Sequence, residues 1–363
     1  MPVRSDSSVR VKSRRVRNAR SREPTASSSP ATSMGSAIRA SVFAVSARIV
    51  ASLRHAAQSE HMTDNDIHDA IIVGGGSTGL SAALQLARLR FRVLVLDSDA
   101  PRNRFAAHMH GVLGRDHTSP LALLADGRRE LSRYDVEVRQ DAASTASRDD
   151  ELFTVTTDSG AALRARAVLV ATGASDTLPD VPGVTERWGR GVHHCPFCDG
   201  WENRGKRIGV LAESAESFHQ IRMLRRLSDR VTVLSHGPTP FDESQLAHFA
   251  AAGIALDDRV LDRVLTTDEG IRGAAFDDDG EIALDALFVS PRATPRDDIL
   301  VALSAERVEA FGRTWAGVDA MGRTSVPGLW AAGNVVNPML GVAASIAAGA
   351  TAGYGMVAEL LMA

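Results

Sequence analysis

The segment "HDAIIVGGGSTGLSAALQLARLRFRVLVLDSD", residues 68–99, decides the fold of this chain. An apolar strand over residues 70–73 leads through a glycine-rich turn into a helix with apolar residues every three or four positions, and a second apolar strand covers residues 93–96. Three glycines give the turn the spacing G-x-G-x-x-G, namely Gly74, Gly76 and Gly79. This order of elements predicts a β-α-β unit that binds a dinucleotide in an α/β protein.

The chemistry of such a unit gives each of its special positions a role. The glycines permit a tight turn, a close approach of the backbone to a pyrophosphate, and close packing of the helix on the strand. The N-terminus of the helix then faces the phosphates with its free N–H groups. A carboxylate at the end of the second strand accepts a hydrogen bond from a ribose hydroxyl. We therefore predict cofactor contacts at Gly74, Gly76, Ser77, Gly79 and Asp97.

Two later segments extend this site. "ARAVLVATGASDTLPDVPG", residues 165–183, and "TSVPGLWAAGNVV", residues 324–336, are apolar strands that end in small residues. Together with the first loop, they resemble the three FAD-contacting segments of flavoproteins with two dinucleotide-binding folds, in which FAD lies extended across one domain. The resemblance implies that FAD is the cofactor and that its further contacts are Ala171, Thr172, Gly173, Gly333 and Asn334.

The only two cysteines of the chain, Cys195 and Cys198, lie two residues apart in "HHCPFCDG". At a helix start, the helix dipole stabilises a thiolate, and the second sulfur is within disulfide reach. The neighbouring carboxylate of Asp199 can shuttle protons. The alternatives are two inert thiols or half of a metal site, which would need a distant partner as well as a neighbouring histidine, and we predict no metal. We interpret the two histidines before the pair as surface or packing residues: His193 and His194.

The sequence "CPFCDG", followed by a Gly-Lys turn and an apolar strand over residues 208–211, resembles the redox centre of low-molecular-weight thioredoxin reductases. The likeness runs from about residue 66 to residue 363, and the order of all motifs agrees. It implies an α/β protein with two dinucleotide-binding domains. A FAD domain, residues 66–180 and 292–363, would be interrupted by a nucleotide-binding-like domain that carries the cysteine pair, residues 181–291.

The same resemblance implies a role for each of the two sulfurs and an oligomeric state. It implies that Cys198 faces the flavin, that Cys195 exchanges with the substrate, and that the protein is a homodimer. The proline and glycine content of two connecting stretches, residues 178–184 and 290–295, predicts that they serve as hinges between the domains.

The second domain departs from the thioredoxin reductases at their coenzyme loop. In the family a second glycine loop binds NADPH, whereas this chain has Ala212, Glu213 and Ser214 at its first three positions. Side chains at Ala212 and Ser214 block a close approach to a pyrophosphate. The charge of Glu213 has the wrong sign beside phosphates. The arginine cluster that reads the adenosine 2′-phosphate in the family is also missing after the strand over residues 230–234, so binding of NADP is disfavoured.

Other departures lie in segments expected near the flavin. Asn334 stands where the family usually has aspartate, so we expect FAD to be retained with altered electrostatics. The loop over residues 101–120 carries three histidines, His108, His110 and His117. With "CPFCDGWE", these features resemble the branch of the superfamily that includes dithiol oxidases of disulfide-containing natural products. Those enzymes pass electrons from a small dithiol through the cysteine pair and FAD to oxygen.

We therefore predict a FAD-dependent thiol–disulfide oxidoreductase whose partner is a small-molecule dithiol or a thioredoxin-like protein. Two alternatives stay open. The first is an NAD(P)H-dependent thioredoxin-disulfide reductase with a non-standard coenzyme site. The second is a non-catalytic FAD-bound redox sensor whose cysteine pair switches conformation without turnover.

His110 is the predicted base. Only a thiolate attacks a disulfide, and free thiols titrate near pH ~8.5. An unperturbed aspartate, with a pKa of about 3.9, is a poor base at neutral pH, whereas histidine, with a pKa of about 6.5, is well matched. Gly111 can bend the chain so that His110 points inward, and the other two loop histidines are interpreted as surface residues. The predicted catalytic set is Cys195, Cys198, Asp199 and His110.

The composition names no macromolecular partner. The chain has 363 residues, a hydrophobic content of 44% and a net charge of −3, which suits two domains with sizeable cores. We expect no nucleic-acid or membrane partner and a cytoplasmic location. The uncharged stretch over residues 324–358 is long enough to cross a membrane. Its small residues, and its interruption at residues 334–338, favour a buried strand, a ligand-facing loop and a helix instead.

The first 61 residues differ from the rest of the chain, because they hold 11 Lys and Arg against 3 Asp and Glu. Such a leader resembles an organelle transit peptide, but we favour the simpler explanation of an over-extended start codon. We leave residues 1–65 out of the fold and expect disorder there, with a weak helix over residues 37–55.

Overall fold

The computed structural model describes residues 67–149 and 151–362. The N-terminal segment 1–65 and its predicted helix lie outside these described residues. The helices are α1 Ser77–Arg88, α2 Pro120–Leu131, α3 Pro196–Asp199, α4 Ser217–Arg225, α5 Glu243–Ala252, α6 Asp298–Ala302 and α7 Val342–Leu360. The strands are β1 Ile67–Val73, β2 Val93–Leu96, β3 Glu137–Arg139, β4 Ala143–Asp149, β5 Leu152–Thr157, β6 Ala162–Val170, β7 Ala174–Thr177, β8 Val192–His193, β9 Ile208–Leu211, β10 Val231–Leu234, β11 Ala255–Asp257, β12 Leu261–Thr266, β13 Ile271–Phe276, β14 Glu281–Ala283, β15 Ala286–Phe288, β16 Arg292–Pro295, β17 Arg307–Ala310, β18 Arg313–Ala316 and β19 Leu329–Ala331.

A seven-stranded sheet carries the predicted dinucleotide unit. Its strands lie in the order β3-β2-β1-β6-β5-β4, and β19 pairs with the second half of β6. The pairs β3–β2, β2–β1, β1–β6 and β6–β19 are parallel, whereas β5 and β4 run antiparallel to their neighbours. The carboxyl ends of β1, β6 and β19 therefore meet at one edge of the sheet, where ligands bind in open α/β sheets.

Helices α1 and α7 cover one face of this sheet. Leu80 and Leu86 of α1 are buried in a single cluster with residues of β1, β2 and α7, as the apolar periodicity of α1 predicts. α7 approaches α1 closely because it is rich in small residues. A side chain at Gly349 would overlap the carbonyl oxygen of Thr78. This close approach holds the first turn of α1 in place.

The uncharged stretch over residues 324–358 contains β19, a 3₁₀ turn at Gly333–Val335 and most of α7. This is the predicted order of strand, loop and helix. In the part of the chain that the structure describes, no helix is both long and apolar enough to cross a membrane.

A second parallel sheet has five strands in the order β11-β10-β9-β15-β8. Ile221 and Leu224 of α4 and Phe249 of α5 are buried against β9, β10 and β15. The strand β8 is only two residues long and pairs with β15. Because the chain leaves β8 at its carboxyl end and reaches Cys195 two residues later, this sheet positions the cysteine pair.

The two sheets are joined by a pair of antiparallel strands. β7 leads out of the first sheet and β16 leads back, and they pair from Ala174 opposite Pro295 to Thr177 opposite Arg292. The second stretch predicted to be a hinge, residues 290–295, is therefore mostly a paired strand. The two connecting segments lie side by side because β7 and β16 satisfy each other's backbone hydrogen-bonding groups.

Candidate active site

The glycines of the first loop fall into two kinds. Gly74 has a left-handed backbone angle, φ +114°, and a side chain on it would overlap the carbonyl oxygen of Ala171. A side chain at Gly79 would overlap the carbonyl oxygen of Gly74. Gly76 differs, because a Cβ there would have no neighbour within 4 Å. Gly74 and Gly79 are thus required by packing, whereas the open space at Gly76 suits a ligand that approaches the backbone.

The N-terminus of α1 adjoins this open space. Gly76 precedes the helix in an extended conformation, and no side chain caps the first turn. The first N–H groups of α1 consequently have no partner within the helix and point towards the carboxyl edge of the sheet. An open backbone cradle and uncapped N–H groups together fit the pyrophosphate of a dinucleotide.

Asp97 is buried beside the same loop, with an exposed fraction of 7%. Arg128 Nη2 lies 2.5 Å from Asp97 Oδ2 and 3.0 Å from Asp99 Oδ1, and the Asp99 N–H donates to Asp97 Oδ1 at 3.0 Å. A carboxylate can accept about four hydrogen bonds, so Asp97 keeps capacity for a ribose hydroxyl. The sequence analysis did not identify Arg128, which lies on α2, 31 residues after Asp97.

The other predicted cofactor residues lie at the same edge of the sheet. The Ala171 N–H donates to the carbonyl oxygen of Val73 at 2.8 Å, and the Thr172 hydroxyl donates to the carbonyl oxygen of Arg296 at 2.5 Å. A Cβ on Gly173 would lie 4.0 Å from the Cβ of Asn334, so the second and third segments meet.

Asn334 is held by its own loop. Its amide Nδ2 donates to the carbonyl oxygens of Asn337 at 2.9 Å and Leu340 at 3.1 Å. Both amide protons are therefore used, and the amide can offer a cofactor only its acceptor oxygen. That oxygen suits a hydroxyl of the ribityl chain of FAD.

The cysteine pair lies at the start of the short helix α3. Cys195 occupies the N-cap position, Pro196 is the first helical residue, and both cysteines are free thiols that are partly buried. The N–H groups of Cys198 and Asp199 each donate to the carbonyl oxygen of Cys195 at 3.0 Å. This turn places the two sulfurs next to one another.

The two thiols differ in acidity. A hydrogen bond from the Cys198 thiol, with help from the N–H groups of Cys198 and Phe197, lowers the pKa of Cys195 to about 7 against the opposing effect of burial. The hydrogen bond to Cys195, followed by burial, raises the pKa of Cys198. Cys195 is therefore the first of the pair to ionise, which suits the sulfur that exchanges with a substrate.

The two histidines before the pair have different surroundings. Burial lowers the pKa of His194, whose Nδ1 lies 3.2 Å from the carbonyl oxygen of Val289. The side chain of Gln220 donates to the carbonyl oxygen of His194 at 2.6 Å. His194 thus packs against its neighbours, which agrees with its interpretation in the sequence analysis as a surface or packing residue. His193 Nδ1 lies 3.3 Å from Asp199 Oδ1, a contact with a predicted catalytic residue that the sequence analysis missed.

His110 reaches the segment that carries the cysteines. Its Nε2 lies 3.5 Å from Glu202 Oε1, in the 3₁₀ turn directly after α3, and its Nδ1 lies 3.4 Å from Asp116 Oδ1. The other two histidines of the loop are exposed and contact one another, with ring centroids 4.1 Å apart: His108 and His117. Of the three, His110 is the one that approaches the redox segment.

Arg102 is a further residue that sequence reasoning missed. Its guanidinium forms a double hydrogen bond with Asp176 of β7, at 2.7 and 2.6 Å, and donates to the carbonyl oxygen of Pro338 at 2.7 Å. Its positive charge lowers the pKa of Cys198, although the hydrogen bond to Cys195 and burial outweigh it. Arg102 thus ties the 101–120 loop, the crossing strand β7 and the loop of Asn334 together beside the cysteine pair.

The loop of the second domain lacks the features of the first. Five residues separate β9 from α4, whereas three separate β1 from α1. Ala212 is fully buried, and Glu213 and Ser214 are exposed. Arg259, the first arginine after β10, is engaged by Asp257 at 2.9 and 2.7 Å. The region therefore offers neither an open glycine cradle nor a free arginine after β10 to a nicotinamide coenzyme.

No three His, Cys, Asp or Glu side chains converge to hold a metal ion within residues 67–149 and 151–362. The two thiols contact one another, and Asp199 lies nearby.

The model of the family described as "Pyridine nucleotide-disulphide oxidoreductase" matches residues 68–349. The chain belongs to this family. It is 32% identical to "Thioredoxin reductase tcpT" of Claviceps purpurea, over 68% of this chain and 80% of that one. It is 31% identical to "Thioredoxin reductase aclD" of Aspergillus oryzae, over 81% of this chain and 96% of that one.

Two solved structures resemble this one. The crystal structure of HlmI is 40% identical, covers 83% of this chain and 95% of its own, and superposes with a TM-score of 0.79. An oxidoreductase from Agrobacterium tumefaciens is 33% identical, over 81% of this chain and 99% of its own, with a TM-score of 0.77. The predicted two-dinucleotide-binding α/β fold is confirmed. The protein is a thioredoxin reductase-like oxidoreductase with a Cys-x-x-Cys pair, of a family that typically binds FAD.

Proposed function

We propose that this protein is a FAD-dependent oxidase of a small dithiol, with oxygen as the final electron acceptor. The observation that carries the proposal is the contrast between its two dinucleotide loops. The first keeps an open backbone cradle at Gly76, whereas the second has the side chain of Ser214 at that position, next to the exposed carboxylate of Glu213. An enzyme with a flavin site but no coenzyme site must draw its electrons from the thiol side.

The residues that would hold FAD are those at the carboxyl edge of the first sheet. The cradle at Gly76 and the N-terminus of α1 would bind the pyrophosphate, Asp97 a ribose hydroxyl, and the side-chain oxygen of Asn334 the ribityl chain. Bound FAD would take up two electrons from the reduced cysteine pair and pass them to oxygen, giving hydrogen peroxide.

The cysteine pair performs the exchange with the substrate. In its disulfide form, a substrate thiolate attacks the sulfur of Cys195, and Cys198 leaves as a thiolate. The second substrate thiolate then attacks the substrate sulfur that is bonded to Cys195, and Cys195 leaves as a thiolate. The substrate becomes a cyclic disulfide, the pair is reduced, and two protons leave the substrate thiols. We propose that His110 takes up these protons one at a time and passes each to solvent, because it is the loop histidine that contacts the 3₁₀ turn after α3.

A second candidate function is NAD(P)H-dependent reduction of a thioredoxin-like protein. The names of the curated relatives favour it, whereas the coenzyme loop described above argues against it. We also propose a homodimer, on the resemblance to the family alone.

The two functions are separated by the electron donor. We expect dithiothreitol in air to give many turnovers, with one peroxide formed for each dithiol oxidised, followed as oxygen uptake. In the absence of oxygen, micromolar NADPH or NADH should leave the flavin absorption band unchanged. Rapid bleaching by either coenzyme would reject the oxidase proposal in favour of a reductase. A single equivalent of disulfide exchange with no turnover would indicate a redox sensor.

The two kinds of glycine should separate cofactor binding from folding. Gly76→Ala should change the free energy of unfolding of the apoprotein by less than about 1 kcal/mol, the size of a helix-cap effect. It should weaken FAD binding about tenfold to a hundredfold, because the added methyl fills the cradle, a loss of about 1.4–2.8 kcal/mol. Gly79→Ala should instead destabilise the apoprotein by about 1–3 kcal/mol through overpacking. Urea unfolding measures the stability of each variant, and a FAD titration measures its affinity for the cofactor. Wild-type FAD affinity in Gly76→Ala would contradict the placement of the pyrophosphate at Gly76.

A further inference from the structure

His193 is held beside the cysteine pair by the second sheet. It is the last residue of β8, where it pairs with Phe288 of β15, and its ring lies 5.5 Å from the ring of Phe288. The side chain is 11% exposed, and its Nδ1 lies 3.3 Å from Asp199 Oδ1. A strand register and an aromatic contact therefore fix an imidazole against the carboxylate that follows Cys198.

The contact is an ion-pair contact rather than an aligned hydrogen bond. His193 Nδ1 is buried and has no hydrogen-bond partner among the described residues. Leaving a buried polar nitrogen unpaired costs about 1–3 kcal/mol, so a role in packing alone does not account for the placement. The carboxylate of Asp199 faces this nitrogen at 3.3 Å.

The charge of Asp199 opposes ionisation of both cysteines, because it raises the pKa of Cys195 and of Cys198. Two other groups that can carry a positive charge lie near the cysteine pair, and neither is free to offset this one. Arg102 is a neighbouring cation, but Asp176 already pairs with it, and burial lowers the pKa of His194. A thiolate formed during exchange therefore adds a second negative charge beside Asp199, and like charges at short range are unfavourable.

We propose that His193 is a positioning residue that holds Asp199 and offsets its charge whenever a thiolate forms at the cysteine pair. This inference rests on the proposed thiol–disulfide function and names a residue of that same site. His193 acts through Asp199 and need not touch a sulfur. Its strand position before the pair and its ion-pair distance to the carboxylate are the observations that support it.

The test uses the reduced protein and the rate at which iodoacetamide alkylates Cys195, followed by mass spectrometry from pH 5 to 10. Removing the imidazole with His193→Gln should raise the pKa of Cys195 and slow alkylation at pH 6 about threefold to ninefold, as a pKa change of about half to one unit above about 7 requires. Removing the anion with Asp199→Asn should do the opposite. In the Asp199→Asn protein, the further change His193→Gln should alter the rate less than about twofold. His219→Gln, at an exposed site on α4, is the matched control.

Opposite shifts of the pKa of Cys195 in the two single variants support the proposal. A purely structural disturbance would move this pKa in the same direction in both variants. Shifts in the same direction, or a full effect of His193→Gln in the Asp199→Asn protein, would overturn it. If His193→Gln does not fold, Asp199→Asn decides alone, and an unchanged or raised pKa of Cys195 rejects the proposal. Alkylation requires neither FAD nor turnover. The expected shifts without any dithiol oxidation would therefore reject the proposed function and leave the role of His193 standing.

Discussion

Cys198→Ser should lower dithiol oxidation by about 10⁴-fold or more, because a serine hydroxyl can neither form the disulfide nor leave as an anion at neutral pH. The defect should appear in oxygen uptake with dithiothreitol, and bound FAD should retain its spectrum. Cys195 remains in this variant at the N-cap of α3, where a hydrogen bond from the side chain of residue 198, which a serine hydroxyl can also donate, and two backbone N–H groups lower its pKa. It should therefore still be alkylated near neutral pH.

Cys195→Ser is the matched variant. It should be equally inactive, because both sulfurs are needed for the disulfide, but its remaining thiol should react with iodoacetamide only at more alkaline pH, since burial also raises the pKa of Cys198. Turnover of Cys198→Ser within tenfold of the wild type would show that oxidation of the dithiol bypasses the pair, and the proposed function would fail.

His110→Ala should lower dithiol turnover at pH 7 by 10²–10⁴-fold, the usual size of a general-base effect. The loss should shrink as the pH rises towards ~8.5, where a free thiol ionises without help. FAD should stay bound, because the imidazole contacts Asp116 and Glu202 rather than the first glycine loop. Initial rates of oxygen uptake from pH 6 to 9 measure the effect.

His108→Ala, in the same loop, is the control for His110 and should keep wild-type rates, because His108 is exposed and its ring contacts His117. Wild-type activity of His110→Ala at pH 7 would remove His110 from the mechanism. A loss that stays constant with pH would indicate damage to the loop rather than the loss of a base.

Much of the fold could be predicted because its signals are local. The spacing of Gly74, Gly76 and Gly79 encodes a strand, a turn and a helix within one short segment, and β2 and β9 have the bounds that their apolar runs predict. The meeting of the three cofactor segments also followed, since parallel strands place their carboxyl ends at one edge. The strand β16 within the expected hinge at residues 290–295 was not predicted, because its partner β7 lies more than a hundred residues earlier.

The unpredicted parts of the site are contacts between distant residues. Arg102 meets Asp176 74 positions later, and Gln220 supports the backbone of His194 from a helix in another part of the chain. Arginines paired with aspartates are common throughout this sequence, so no pattern distinguishes Arg102. The pairing of His193 with Asp199 depends on the direction of a side chain at the end of β8, which strand periodicity over two residues does not determine.

The longer connection between β9 and α4 has a consequence for redesign. Because α4 begins two positions later in its loop than α1 does in the first loop, the two loops differ in the path of the backbone as well as in their side chains. Point mutations to glycine would restore composition without restoring shape. Gln220, on that same helix, supports the backbone of His194. A cradle like that of the first loop could therefore be built here only by reshaping the connection while keeping α4 in its place beside the cysteine pair.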